Sequence, residues 1–210
     1  MSRLFPAVVV CASTAVFAGT AGAVTIATFA DPSTGPTQPL FTFNSNGAGG
    51  GTLSGSWLGN NLLLQTPGSP SPDFPNAHMT MLPVTVTGSA GPVFTLGPGS
   101  ISFTDNTNVV QLVISFTSAT LVNSLNFGAS DFMGQNVTFS GPVIAALLPQ
   151  TVNNEDFAFS FANPVLLGPP ALPGSYTVTS SFTSSANIVP APGAAALLGI
   201  GALLAGRRRR

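Results

Sequence analysis

Lysine is absent from this 210-residue chain, and arginine occurs only near its two ends. Charged residues make up 5% of the sequence, against about a quarter in ordinary soluble domains. The five arginines are Arg3 and residues 207–210, so the body between them has no fixed positive charge. Because phosphate affinity comes mainly from lysine and arginine, this distribution excludes nucleic acid as a partner.

The body carries acidic charge alone. Six acids and no lysine or arginine give it a net charge of about −6 once the two ends are set aside. These acids are Asp31, Asp73, Asp105, Asp131, Glu155 and Asp156. Salt bridges to lysine or arginine therefore cannot stabilise the body, and its polar surface must consist of Ser, Thr, Asn, Gln and Gly. We associate such a surface with an extracellular, polysaccharide-rich setting.

Cysteine is nearly absent too, and the single one, Cys11, lies in an N-terminal segment with the features of a secretory signal. Arg3 supplies the positive charge, an apolar stretch follows, and Ala21 and Ala23 form a small-x-small cleavage pattern. We predict that residues 1–23 are a signal peptide. The mature chain would then start with the next residue and have no cysteine, which excludes a disulfide.

Helical periodicity is missing from the body, whereas alternation of apolar and polar residues is frequent. The clearest alternating stretches are 41–43, 101–103, 110–116, 157–161 and 176–182. Such alternation is typical of strands with one buried face, and Gly-, Pro- and Asn-rich breaks separate the stretches. For residues 24–187 we therefore predict ten to twelve strands in an antiparallel, jelly-roll-like β-sandwich. Phenylalanine is predicted to fill its core.

Proline 83 interrupts one of these alternating runs. Met79 and Met81 are in one phase, whereas Val84 and Val86 are in the other. We predict a β-bulge or an edge kink at Pro83 to account for this change of phase.

Signatures of common catalytic sites are missing as well. The chain has no Gly-x-Ser-x-Gly motif, no phosphate-binding loop with lysine and, after loss of the signal, no cysteine nucleophile. The carboxylates could include a glycosidase pair, but the adjacent Glu155 and Asp156 would point to opposite faces of a strand. We predict a non-catalytic body and keep a glycan hydrolase as an alternative.

Two oxygen-rich segments, 105–108 and 153–156, are candidate loops for Ca²⁺, a cation that takes carboxylate and amide oxygens. Neither has the spacing of a known calcium loop, and asparagine- and aspartate-rich turns explain both equally well. We expect no cofactor, with Ca²⁺ as the alternative.

Side chains suited to ligand contacts are few. His78, the only histidine, stands at a predicted strand start, and we expect it to be solvated or hydrogen-bonded rather than catalytic. Trp57 and Tyr176 are the only tryptophan and tyrosine, against sixteen phenylalanines, and their scarcity argues against a sugar-binding cleft. A carbohydrate-binding module, with or without Ca²⁺, remains an alternative function.

The last residues have a distinct tripartite pattern. Pro190, Ala191, Pro192 and Gly193 precede an apolar run at 194–206, and Arg207, Arg208, Arg209 and Arg210 follow it. Thirteen apolar residues would form a helix of roughly 20 Å, shorter than the roughly 30 Å hydrocarbon core of a bilayer. The arginine cluster predicts a cytoplasmic end, so the pattern indicates a short membrane-spanning segment suited to a transient anchor.

This pattern resembles the sorting tail of PEP-CTERM proteins, in which a Pro-Glu-Pro-like motif, a short apolar helix and an arginine cluster follow one another. The resemblance covers residues 188–210. It implies an inner-membrane precursor that an exosortase-type enzyme processes near Pro190–Gly193. Ala191 stands where the name motif has glutamate, as in a variant Val-Pro-Ala-Pro-Gly tail. We therefore expect an exported, non-catalytic cell-surface or extracellular-matrix protein, with extracellular polysaccharide as a further candidate partner.

Overall fold

The computed structural model of the chain describes residues 22–30, 40–59, 61–122 and 130–189. Within these ranges it contains twelve strands and one helical turn. The elements are β1 Gly22–Phe29, β2 Phe41–Ser45, β3 Gly51–Trp57, β4 His78–Ala90, β5 Val93–Leu96, β6 Gly99–Thr104, β7 Val110–Phe116, β8 Ser118–Val122, β9 Ser130–Gln135, β10 Thr138–Ser140, α1 Pro142–Ala145, β11 Thr151–Leu166 and β12 Tyr176–Val189. The predicted strand content is thus confirmed.

Eight of the strands form a closed antiparallel barrel. Its strand order is β2, β3, β4, β5, β8, β9, β11 and β12, and β12 pairs back onto β2 through Tyr176 and Phe43. The remaining strands lie outside this ring. β6 pairs with β4, β7 pairs with β6 and β10 pairs with β7, whereas β1 pairs with β12. A closed barrel leaves no free edge within the ring.

The predicted jelly-roll sandwich is wrong in its connectivity. Jelly rolls are built from Greek keys, in which a long connection carries a strand past its neighbours. In this barrel each strand pairs instead with the next barrel strand along the chain, apart from the closing pair, and β6, β7 and β10 lie outside the ring. Alternation identifies the buried face of a strand but not its partner, so the sequence pattern was compatible with either arrangement.

A crease crosses the sheet, where four neighbouring strands bend at aligned positions. One of these strands is β4, and each of the other three is divided by the bend into two consecutive elements. β5 and β6 make one strand along β4, because the pairs Val86–Leu96 and Met81–Ile101 keep the same register. β7 with β8, and β9 with β10, are related in the same way. The crease passes through Pro83, Pro98, Thr117 and Asn136. The two prolines cannot donate a ladder hydrogen bond, and Asn136 has a φ of 49°.

The bulge predicted at Pro83 is confirmed. The register between β3 and β4 shifts between Leu53 paired with Val84 and Gly55 paired with Met81, which places one extra residue on β4. Met81 and Val84 are both buried, whereas Leu82 is 80% exposed. The bulge therefore returns the apolar side chains to the interior after the change of phase.

Phenylalanine fills the interior, as predicted. Inside the barrel, Phe132 lies 6.0 Å from Phe41 and 5.9 Å from Phe159, measured between ring centroids. Beyond the crease, Phe103 on β6 lies 5.2 Å from Phe182 on β12. The extension formed by β6, β7 and β10 therefore packs against β12 around Phe182. The extension and the barrel share one hydrophobic core.

Candidate functional site at the paired terminal strands

The first and last strands of the described chain are antiparallel neighbours. Val24 is paired with Ala186, and Gly22 is paired with Ile188. On its other side β12 pairs with β11, through Thr151 and Val189. The end of β12 is therefore held from both sides, and the residue at which the mature chain is predicted to begin lies at the same end of the fold.

The strands extend past the predicted limits of the domain. The sequence predicts a domain of 24–187, but β12 continues to Val189. Gly22 and Ala23, which the predicted signal peptide includes, belong to β1. Residues 187–189 are held in β12 by pairing with β1 and β11. The short sequence Asn-Ile-Val does not by itself predict these partners.

The buried side chain of Ser184 supplies hydrogen bonds at a β-bulge in the pairing of β1 with β12. β1 has one extra residue between Thr25 and Ala27, where its register with β12 shifts. The hydroxyl of Ser184 accepts a hydrogen bond from the N–H of Ala27 at 3.0 Å and donates one to the carbonyl of Ala27, also at 3.0 Å. Ser184 is 1% exposed, so these bonds satisfy backbone groups that water does not reach.

Most of the predicted sorting and cleavage residues lie outside the described ranges. These are Ala21, Pro190, Ala191, Pro192, Gly193, Arg207, Arg208, Arg209 and Arg210. Ala23 alone is described, as an exposed residue of β1 paired with Asn187. The described part of the chain contains no helix long and apolar enough to cross a membrane.

The first candidate calcium segment, 105–108, is a hairpin loop between β6 and β7. One carboxylate oxygen of Asp105 accepts hydrogen bonds from the hydroxyl of Thr107 at 2.7 Å and from the N–H groups of Thr107 and Val109. The other oxygen accepts one from Gln111 at 2.8 Å. These bonds, led by that of the Thr107 hydroxyl, lower the pKa of Asp105 to about 2. The carboxylate therefore organises the turn.

His78 contacts the same loop. It begins β4, as predicted, and its Nδ1 lies 3.1 Å from Oδ1 of Asn108. Asn108 has a φ of 65°, a left-handed conformation that asparagine tolerates. The histidine is thus hydrogen-bonded to a turn residue, which agrees with the expectation of a satisfied side chain.

The second candidate segment, 153–156, is not a loop. It lies inside β11, where the register with β12 shifts between Asn153 and Asp156. The carboxylate of Asp156 accepts the N–H of Phe157 at 2.8 Å. Across the described ranges, no three His, Cys, Asp or Glu side chains come together as a group that could hold a metal ion.

Trp57 and Tyr176 both lie in the core rather than on a surface. Trp57 is 4% exposed and Tyr176 is 1% exposed. Tyr176 stacks on Phe43 at 5.2 Å, and burial raises the pKa of its hydroxyl above the ordinary value. Neither ring is therefore placed to support a sugar.

A shallow depression of about 340 Å³ lies on the outer face, where β1, β11 and β12 meet. Sequence reasoning missed it, because it depends on strand pairing. It is lined by Thr28, Phe29, Ala30, Gln65, Ala158, Ser160, Ser181, Phe182 and Thr183. The side chains of Gln65, Ser160, Ser181 and Thr183 are exposed there. The hydroxyl of Ser160 lies 3.4 Å from a carboxylate oxygen of Asp131 on β9. This surface offers neutral hydrogen-bonding groups beside one negative charge.

No family model matches the chain, and neither a curated protein nor a solved structure matches it.

Proposed function

We propose that this chain is an exported, non-catalytic surface or matrix protein, sorted through its C-terminal tail. Residues 1–23 direct export, and the apolar run at 194–206 with Arg207–Arg210 holds the precursor in the inner membrane until an exosortase-type enzyme acts near Pro190–Gly193. The barrel is then the cargo delivered to the cell surface or the extracellular matrix. Its scarcity of charge suits a surface that meets neutral polymers.

The pairing of β1 with β12 carries this proposal. It brings Val24 beside Ala186, so both predicted membrane segments leave from one end of the barrel. Such an arrangement suits a precursor with two membrane segments, since both can enter the bilayer on one side of the domain. Processing after Val189 would leave the described strands whole, because β12 ends at that residue.

Replacing Arg207–Arg210 with glutamine tests the sorting assignment. The loss of four positive charges should weaken retention of the tail at the cytoplasmic face. We expect the variant to be mislocalised and to keep its tail, as seen by cell fractionation and intact mass. Replacing the exposed Ser181 with alanine serves as the control and should leave location unchanged. Unchanged location and processing of the arginine variant would refute the tail assignment.

A second candidate function is contact with extracellular polysaccharide at the depression. Its exposed Ser160, Ser181 and Thr183 hydroxyls match the hydrogen-bonding groups of a neutral sugar. A glycan array with and without a chelator tests this function and its calcium-assisted form together. Binding that is lost when Ser160 and Ser181 are replaced with valine would support the site. Absence of binding in both conditions would remove it.

A further inference from the structure

The loop between β2 and β3 contains the only Asn-Gly pair of the chain, Asn46–Gly47. Both residues are exposed, and Gly47 has a φ of 74°, which favours glycine. In such a pair the backbone nitrogen of the glycine can attack the side-chain amide of the asparagine and close a five-membered ring. Every other asparagine precedes a residue with a side chain, which hinders this attack. Asn46 is therefore the asparagine with the least steric hindrance to ring closure.

Two backbone donors hold the side-chain oxygen of Asn46. Its Oδ1 accepts hydrogen bonds from the N–H groups of Ala48 and Gly50, each at 2.9 Å. Negative charge develops on this oxygen when a nucleophile adds to the amide carbon. Donors already aimed at such an oxygen stabilise the addition, as in the oxyanion hole of an acyl-transfer enzyme. The folded loop thus makes the amide carbon of Asn46 more electrophilic.

The nitrogen of the same amide is also held in place. A Cβ built on Gly50 would lie 2.9 Å from Nδ2 of Asn46, so this nitrogen lies directly against the glycine. Together with the two hydrogen bonds to Oδ1, this contact restricts rotation of the amide. A group that is ordered before it reacts loses less entropy on the way to the transition state.

The attacking nitrogen has an acceptor for its proton. The N–H of Gly47 donates a hydrogen bond to Oγ of Ser45 at 3.1 Å. This N–H must lose its proton as the new bond forms, and a hydroxyl, which both accepts and donates, can relay the proton to water. The N–H of Ser45 in turn donates to Oγ of Ser175 at 3.0 Å, which fixes the end of β2 beside the loop.

We propose that Asn46 is a site of spontaneous deamidation in the folded protein, through a cyclic imide formed with Gly47. A bond forms between the nitrogen of Gly47 and Cγ of Asn46, and the bond from Cγ to Nδ2 breaks. Nδ2 leaves with the bonding electron pair and takes up one proton, the equivalent of that lost from Gly47, to give ammonia. Water then opens the imide at either carbonyl and gives aspartate or, with the main chain rerouted through Cγ, isoaspartate.

The modification changes both the charge and the backbone of the loop. Either product adds a carboxylate to a body that has six acids and no lysine or arginine. Isoaspartate also lengthens the main chain by one carbon in a loop closed by the hydrogen bond from the N–H of Asn46 to the carbonyl of Gly50, at 3.0 Å. β12 begins beside this end of β2, where Tyr176 pairs with Phe43, and runs away from it to Val189. The modified loop therefore lies at the end of the barrel opposite to the predicted sorting tail.

Incubation of the purified full chain at pH 8, folded and in guanidinium chloride, tests the proposal. Trypsin cannot release the loop, because the body has no lysine or arginine, whereas chymotrypsin cuts after Phe43 and Trp57. Mass spectrometry of the released peptide gives the fraction in which an acid has replaced the amide, and fragmentation distinguishes Asn46 from Asn44. Labelling with an isoaspartyl methyltransferase detects isoaspartate. We expect the folded chain to convert at least as fast as the unfolded chain.

Ser45→Ala removes the acceptor of the Gly47 proton. We expect conversion in the folded chain to slow about fivefold, the factor that one hydrogen bond typically contributes, and conversion in the unfolded chain to stay the same. Ser54→Ala replaces another half-buried serine, on the neighbouring β3, and should convert like the parent. Circular dichroism shows whether both variants stay folded.

Two results would overturn the proposal. The first is an amide at Asn46 that survives in the folded parent, whether or not the unfolded chain loses it. The second is an equal rate in the folded parent and the folded Ser45→Ala variant. Asn46→Gln, which would need a larger ring, should give no acid at this position and serves as the blank.

Discussion

The hydroxyl of Ser184 bonds both the N–H and the C=O of Ala27, each at 3.0 Å. The extra residue of β1 interrupts the regular pairing with β12 at this point. The Ser184 side chain therefore provides the hydrogen-bond partners of the Ala27 backbone. The two residues are 157 positions apart, so the bonds tie the start of the fold to its end. The relationship matters for function, because β12 leads directly to the predicted sorting tail.

Removing this hydroxyl should destabilise the fold. Ser184→Ala leaves a buried N–H and a buried C=O without partners, and we expect a loss of about 2 kcal/mol in the free energy of unfolding. Urea denaturation measures it. Ser181→Ala, which removes an exposed hydroxyl from the same strand, should change stability by less than about 0.5 kcal/mol. Equal stability of the two variants would contradict the role given to Ser184.

Gly134 makes room for an aromatic ring at the crease. A Cβ built on this residue would clash with the ring of Phe157 and lie 2.9 Å from Cγ2 of Val137. We expect Gly134→Ala to lower the free energy of unfolding by about 1–3 kcal/mol through overpacking. Gly168, where an added Cβ meets nothing within 4 Å, provides the matched control. Equal melting temperatures of the two alanine variants would show that the Phe157 ring does not occupy the space beside Gly134.

Asp105 should make stability depend on pH in the acid range. Its pKa is lowered from 3.8 to about 2 in the folded protein, so its contribution is complete above pH 4 and is lost as the pH falls towards 2. Asp105→Asn cannot titrate. The variant should therefore be less stable than the parent at pH 7, with a deficit that shrinks as the pH falls from about 4 to 2. Thermal melts across that range give the difference, and a deficit independent of pH would be inconsistent with this role.

The sequence was sufficient to predict several of the strands and the faces that they bury. The stripes at 157–161 and 176–182 lie in β11 and β12, and the change of phase at Pro83 is a bulge. These features are local, because alternation and proline leave direct traces in a short window. The apolar run at 144–148 is too short to predict a helix, and the structure has a single helical turn at Pro142–Ala145.

The pairing of distant strands could not be predicted in the same way. Closure of the barrel joins Phe43 to Tyr176, and the bulge of β1 depends on Ser184; neither leaves a local pattern. The segment 153–156 looked like a loop because it is rich in asparagine and acid, yet the ladder on both sides keeps it within β11. The candidate depression, too, exists only because β1, β11 and β12 are neighbours.

Intact mass of the protein recovered from the cells that export it is the decisive measurement for export and tail processing. We predict one species that starts at Val24 and ends within Pro190–Gly193, since Ala23 is the predicted signal cleavage site and the described strands end at Val189. A mature species that starts at Val24 but still carries Arg207–Arg210 would contradict it.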